Sequence, residues 1–298
     1  MSIQQFQELL AIGRFVTAVE MRPPKGVDIA SMIDDARTLV SVGVNTINIT
    51  DCSLSRLHAS SSITAYILRR EVGVDTIFHL TGRDRNVIGL QAELLGANAL
   101  GLRNVLCLTG DPPKLGDHKD ARPVYEVNSQ GLLHIVNQLN AGFDVNGNEL
   151  TQKADFFAGV AYGLDPIHKK LSSRMQKKLA LKPGFITTQP VYSEEDLDRC
   201  RQLKQYTDVP IIVGLLPLYG ARNANFIAKN VPGIRIPQEI LDEINSIESK
   251  EAQLDFGIRI AREMLAKIRE EFAGVYLIPP FHRYHLVERI IAERPAFA

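Results

Sequence analysis

Residues 75–110 read DTIFHLTGRDRNVIGLQAELLGANALGLRNVLCLTG. Two β-rich runs, 75–82 and 104–110, bracket a segment with helical spacing, 86–100. Both runs are almost continuously apolar rather than alternating, as in parallel strands covered on both faces. Strand, helix and strand in that order make a βαβ unit, the building block of parallel sheets.

The same rhythm extends in both directions. Six further β-rich runs fall at 15–22, 45–51, 156–163, 185–192, 209–218 and 274–280. Amphipathic segments lie at 29–42, 60–72, 129–140, 168–181, 194–206, 222–229 and 252–272. In the first of these, Ile29, Met32, Ile33, Ala36, Leu39 and Val40 share one face. Eight strands alternating with eight helices predict an α/β fold, a (β/α)8 TIM barrel formed as one domain over residues 1–298. A doubly wound sheet is the alternative, and it needs fewer strands at this length. Connection 111–128 is long and rich in proline, glycine and charge, which marks it as functional or mobile. Asn146-Gly147 within 142–155 carries a type I′ hairpin signal and predicts a small flap.

Composition narrows the function. The 298 residues carry 34 basic and 34 acidic side chains, and this balance argues against binding nucleic acid through bulk charge. No window approaches the roughly 18 consecutive apolar residues of a membrane span. Three widely spaced cysteines, Cys52, Cys107 and Cys200, suit a reducing compartment, and with no secretory signal at the start the expectation is a cytoplasmic protein. Cys107, among apolar neighbours, reads as inert core. Dinucleotide, triphosphate and nucleophile-elbow motifs are absent from the sequence. The pair His282 and His285 lacks a third ligand nearby, so the expectation is a surface turn and no metal.

Chemistry in such a barrel collects at the C-terminal ends of its strands. Polar residues that an apolar core would not choose fall at six consecutive strand ends: Glu20, then Asn48, Thr50 and Asp51, then His79 and Thr81, then Asp111, Tyr162 and Gln189. Glu20 sits in an apolar run, where burial would raise its pKa and make it a usable general acid. A structural ion pair, with Arg103 or another strand-end base, is the competing reading. Gly110 and Pro112-Pro113 hold Asp111 in place, either as a fixed anion beside a cationic ligand or as a turn-forming residue. The helix after the fifth run carries Arg174 and Lys178, four residues apart in a basic stretch, which suits a phosphate or simply a solvated face.

The combination of Ala18-Val19-Glu20 with Pro23-Pro24, His79-Leu80-Thr81, Leu108-Thr109-Gly110-Asp111-Pro112-Pro113 and Ile186-Thr187-Thr188-Gln189-Pro190 resembles the methylenetetrahydrofolate reductase family over essentially the whole chain. The stretch from Leu108 to Asp117 most resembles the reductase half of bifunctional homocysteine methyltransferase–reductase proteins. The resemblance implies a (β/α)8 barrel that holds FAD, with FMN as the alternative. It implies reduction of 5,10-methylenetetrahydrofolate to 5-methyltetrahydrofolate with electrons from NADH, NADPH or a partner subunit. Glu20 matches the family's general acid, Asp111 the aspartate that binds the pterin near the flavin, Gln189 a folate-binding glutamine and Phe226 a phenylalanine packed on substrate. Thr50, His79, Gly110, Tyr162, Arg174 and Lys178 fall at flavin-contact positions, and the resemblance further implies a homo-oligomer. The sequence departs from the family at Thr109, where arginine is usual, at 163–168, and at Arg174, where asparagine is frequent. A pterin-binding methyltransferase barrel without redox chemistry, and a flavin- and folate-binding subunit of a larger redox complex, are the competing functions.

Overall fold

A computed structural model describes residues 6–167, 170–231 and 233–292. Strands β1 (Val16–Met21), β2 (Thr46–Ile49), β3 (Asp75–Thr81), β4 (Asn104–Leu108), β5 (Phe157–Tyr162), β6 (Phe185–Pro190), β7 (Ile211–Leu215) and β8 (Gly274–Leu277) pair in sequence order. Every pairing is parallel, and β8 pairs back onto β1 to close a (β/α)8 barrel, which leaves the sheet without an open edge. Each strand falls within one of the runs expected from the sequence.

Around the barrel lie α2 (Ala30–Ser41), α3 (Ser61–Val72), α4 (Val87–Ala99), α5 (Ser129–Ala141), α6 (Ser173–Ala180), α7 (Glu194–Lys204), α8 (Ala221–Asn230) and α10 (Lys250–Glu271). Three short helices accompany them among the described residues: α1 (Phe6–Ala11), α9 (Gln238–Ser246) and α11 (His285–Ile291). The sequence pattern does not announce these three, whose one to three turns leave little room for periodicity to show. The helix expected from 168 begins at Ser173 instead, because the Ser172 hydroxyl caps the Met175 amide. His168 and Lys169 lie outside the described residues. The expected turn at 282–285 leads directly into α11, which buries Leu286, Val287 and Ile290.

Strand alternation divides the core in two. Val19, Met21, Phe78, Leu80, Val105 and Cys107 face the helices, whereas Val16, Ala18, Ile77, Leu106, Phe185, Ile212 and Tyr276 fill the lumen. Helix α1 plugs the N-terminal end. Its Phe6 is fully buried and meets Phe185 edge-on at 5.0 Å and Phe157 at 5.9 Å. Gly159 makes that packing possible, since a Cβ there would sit 2.3 Å from the Phe185 ring. The Phe6 amide and the Asn104 side chain both donate to Asp75 Oδ2, and Arg69 pairs with Oδ1 at 3.2 Å.

The segment 142–155 does form a small bridge, Phe143 to Glu149, but not through a type I′ turn. That turn needs two left-handed residues, and of the pair only Gly147 has positive φ. The segment leads from α5 into β5, so it lies at the N-terminal end, away from the strand mouths.

Candidate active site

The inward parity of β1, β2 and β3 carries Glu20, Asn48, Thr50, His79 and Thr81 toward the C-terminal mouth. Glu20 and Asn48 are register neighbours, and Asn48 is next to Ile77 in turn. On the other flank of β1, β8 contributes Tyr276, buried to 5% exposure. Its hydroxyl donates to Glu20 Oε2, and its ring meets His79 edge-on at 6.4 Å. Sequence reasoning misses Tyr276 because a tyrosine within GVYLIPP looks like one more apolar strand residue. Counting its parity with Gly274 turns it inward.

The electrostatics follow from the seal. The Glu20 side chain keeps 15% exposure, and Arg22 Nε stands 4.0 Å from Oε1. Burial raises the Glu20 pKa more than the Tyr276 hydrogen bond and Arg22 lower it, so the carboxyl holds its proton to higher pH than a free glutamate. His79 is pushed the other way: burial lowers it to about 3, leaving a neutral imidazole near neutral pH. Arg103, the partner considered for Glu20, instead bonds the Asn98 and Leu102 carbonyls just before β4, at the opposite end of the barrel.

Four buried polar atoms in this region have no hydrogen-bond partner: Asn48 Nδ2 and Oδ1, Thr50 Oγ1 and His79 Nε2. Native proteins rarely leave such atoms unpaired, so a cluster of them on adjacent strands marks where a polar ligand or ordered water belongs. Asp51 differs. It accepts from the Thr81 amide and hydroxyl and pairs with Arg85 at 3.3 Å, which makes it a brace between β2 and β3.

Asp111 is anchored as the sequence suggests, though by more than its prolines. Its Oδ2 accepts the Leu54 amide at 2.8 Å, and its carbonyl accepts from Ser55 Oγ and Arg83. Gly110 adopts φ +91°, and a Cβ there would crowd Arg83 at 2.9 Å. Arg83 is 2% exposed and pairs with Asp84. The long connection crosses the loops after β1, β2 and β3. Val124 and Tyr125 donate to the Arg83 and Gly82 carbonyls, and Asp117 binds Lys25 at 2.8 Å and the Leu57 amide at 3.1 Å.

The remaining sequence candidates are scattered more widely. Gln189 lies on β6 beside a register shift between Thr187 and Pro190. Tyr162 departs from the expected convergence: the alternation of β5 turns it outward into the helix layer, where its hydroxyl donates to the Asp165 carbonyl. Lys178 is buried, its Nζ donates to the Ala161 carbonyl at the end of β5, and desolvation lowers its pKa to about 8. Arg174, one turn earlier, is exposed, so the two do not share a solvent face. Phe226 stands on α8 at 59% exposure.

A closed parallel barrel with a sealed acid, a neutral imidazole and unpaired polar atoms at its C-terminal mouth belongs to the class of (β/α)8 barrels with a small-molecule site. A family model described as methylenetetrahydrofolate reductase matches residues 5–292, and the chain belongs to that family. A Caenorhabditis elegans protein named as a probable methylenetetrahydrofolate reductase (NADPH) is 26% identical over 239 residues, 78% of this chain and 33% of that protein. A rice protein named as a probable methylenetetrahydrofolate reductase (NADH) is 26% identical over 292 residues, 89% of this chain and 46% of its own length. The chain thus spans a third to just under half of these two relatives. In fold it is similar to an uncharacterized Clostridium thermocellum protein that binds two copies of 5-methyl-5,6,7,8-tetrahydrofolic acid. That match has TM-score 0.61 and 14% identity, covering 96% of this chain and 95% of the other.

Proposed function

We propose that this chain reduces 5,10-methylenetetrahydrofolate to 5-methyltetrahydrofolate as a flavin-dependent cytoplasmic enzyme supplied with electrons by NADH or NADPH. The observation that carries the reading is the largely buried Glu20 carboxyl, held by Tyr276, raised in pKa and adjacent on the barrel wall to the unpaired Asn48. Opening the five-membered ring of the substrate requires a proton on N10 as the C–N10 bond breaks. A carboxyl that holds its proton to higher pH than a free glutamate is suited to deliver it. Membership of the family supports the substrate.

The donor set fits a flavin at the mouth. Thr50 Oγ1 and His79 Nε2 are buried without partners, and a neutral imidazole can donate or accept toward a heteroaromatic ring edge. Gly110, Tyr162, Lys178 and Arg174 are proposed as further FAD contacts. A bound flavin supplies the hydride that the protein's own side chains cannot. Asp111, with one oxygen held by the Leu54 amide, is proposed to bind the pterin and stabilise the cationic character that ring opening creates. Gln189 and Phe226 are proposed to hold the pterin and pack on the substrate.

An anaerobic absorbance titration tests the reading. Purified protein should show a flavin band that bleaches with NADH or NADPH and recovers with methylenetetrahydrofolate. Bleaching by dithionite alone, with recovery by folate, would place the electron donor on a partner protein. No flavin band after added FAD would overturn the proposal. Glu20→Gln should slow the folate step about 10²–10⁴-fold while leaving flavin reduction intact.

A further inference from the structure

Tyr276 and Glu20 meet across the junction where β8 closes onto β1, on inward faces of both strands. The phenol has one proton and donates it to Oε2. The other carboxylate oxygen, Oε1, faces Arg22 at 4.0 Å. We propose that Tyr276 is a positioning residue for the acid: by occupying Oε2 it places the transferable proton of Glu20 on Oε1, the oxygen from which it leaves. This rests on the reading of Glu20 as the general acid.

The geometry supports the assignment in three ways. The tyrosine is buried and its ring is braced against His79, so the hydroxyl is delivered by a fixed side chain. A phenol whose ionisation is suppressed by burial and by the neighbouring carboxyl remains a donor throughout the working pH range. In a protonated carboxyl the carbonyl oxygen is the better acceptor, so a phenol donating to Oε2 favours the proton on Oε1. In the step itself, the proton passes from Oε1 to N10 of the substrate, the C–N10 electron pair stays on N10, and N5 forms the iminium double bond. The carboxylate left behind is stabilised by the phenol and by Arg22, and is reprotonated from solvent before the next turnover.

Other charged or titratable groups around the pair are Tyr284 and His282 after β8, Asp35 on α2 and His58 after β2. Each interacts with Glu20 or with Arg22 and its neighbours through the electrostatic field, whereas Tyr276 is the one hydrogen-bonded to the Glu20 side chain among the described residues.

The test is a titration of the Glu20 carboxyl by infrared difference spectroscopy, its C=O band assigned with Glu20→Gln, alongside the pH profiles of both half-reactions. Tyr276→Phe keeps the ring and loses the donor. Without that donor the carboxylate is less stable, so the carboxyl band should persist to about one pH unit higher. The alkaline limb of folate reduction should rise with it, kcat for that step should fall about tenfold with little change in KM, and flavin reduction should keep its wild-type rate. Incorporation of 3-fluorotyrosine at 276, a stronger donor, should move band and limb the opposite way. A merely structural role would not reverse sign. A Glu20 band that titrates identically in wild type and Tyr276→Phe would overturn the proposal, as would equal losses in both half-reactions. If the band moves as expected but the wild-type protein does not reduce methylenetetrahydrofolate, the reductase reading fails and the hold of Tyr276 on the carboxyl proton stands.

Discussion

Two asparagines point into the same lumen, and they have opposite fates. Asn104, near the N-terminal floor, donates to Asp75 Oδ2 at 2.9 Å and to the Thr76 carbonyl at 3.1 Å. Asn48, toward the mouth, is equally buried and its amide pairs with nothing in the protein. The floor is closed chemistry: a carboxylate, an arginine, an amide and the α1 plug satisfy one another. The mouth is open chemistry, with donors and acceptors assembled and left for something else. Backbone strain follows the same division. Of the eight non-glycine residues with positive φ among the described residues, seven (Cys52, Leu54, Ser55, Tyr125, Leu164, Phe281 and His282) lie in loops after strands, and only Lys182 lies before one. Within the lumen, a buried amide with partners thus marks stability at Asn104, and one without marks binding at Asn48.

The contrast can be attacked first at the floor. Phe6→Ala removes the plug and should destabilise the protein by about 3–5 kcal/mol in chemical denaturation. A loss under about 1 kcal/mol would mean that α1 only decorates a barrel already closed. The two asparagines offer a paired test. Asn104→Leu strips a donor from buried Asp75 and should cost about 2–3 kcal/mol. Asn48→Leu replaces two unpaired polar atoms and should leave the ligand-free protein equally stable or about 1 kcal/mol more stable, while weakening flavin or folate binding. Equal destabilisation by both would erase the distinction between the ends.

The buried groups at the mouth also make stability depend on pH. His79 has a folded pKa of about 3, below its ordinary 6.5, so between those values the unfolded chain binds the extra proton. Its stability contribution is complete above pH 6.5 and declines as pH falls toward 3, at up to about 1.4 kcal/mol per pH unit. His79→Gln should flatten that acid slope, measured by denaturant melts from about pH 7 to about pH 4. Glu20 has the opposite sign: its raised pKa stabilises the fold at low pH and the contribution is lost as pH rises through the folded value. Glu20→Gln should remove that decline, which sets in as pH rises above the free glutamate value of 4.5.

Most of the barrel is legible in the sequence because strand runs and helical spacing are local signals. Side-chain parity is harder. In FFAGVAYG both faces of β5 are apolar, so nothing in the sequence says whether Phe156 or Phe157 points inward, and Tyr162, expected at the mouth, faces the helices. Glu20 and His79 are legible because an ionisable residue inside an apolar run is conspicuous. Tyr276 is hidden for the opposite reason, since its significance lies in a contact between the first strand and the last. The helical basic face fails because burial of Lys178 depends on where α6 docks, which spacing alone does not specify.

Closure also sets a timetable for the nascent chain. Phe6 is made well before its aromatic partners on β5 and β6, and β1 is not paired on its outer side until β8 is complete. Until then the growing polypeptide carries an exposed phenylalanine and an open strand edge, both invitations to stick to neighbours. Ribosome-bound folding of this protein is therefore a problem of waiting, and the end of the molecule that is most tightly closed when finished is the one that stays vulnerable longest.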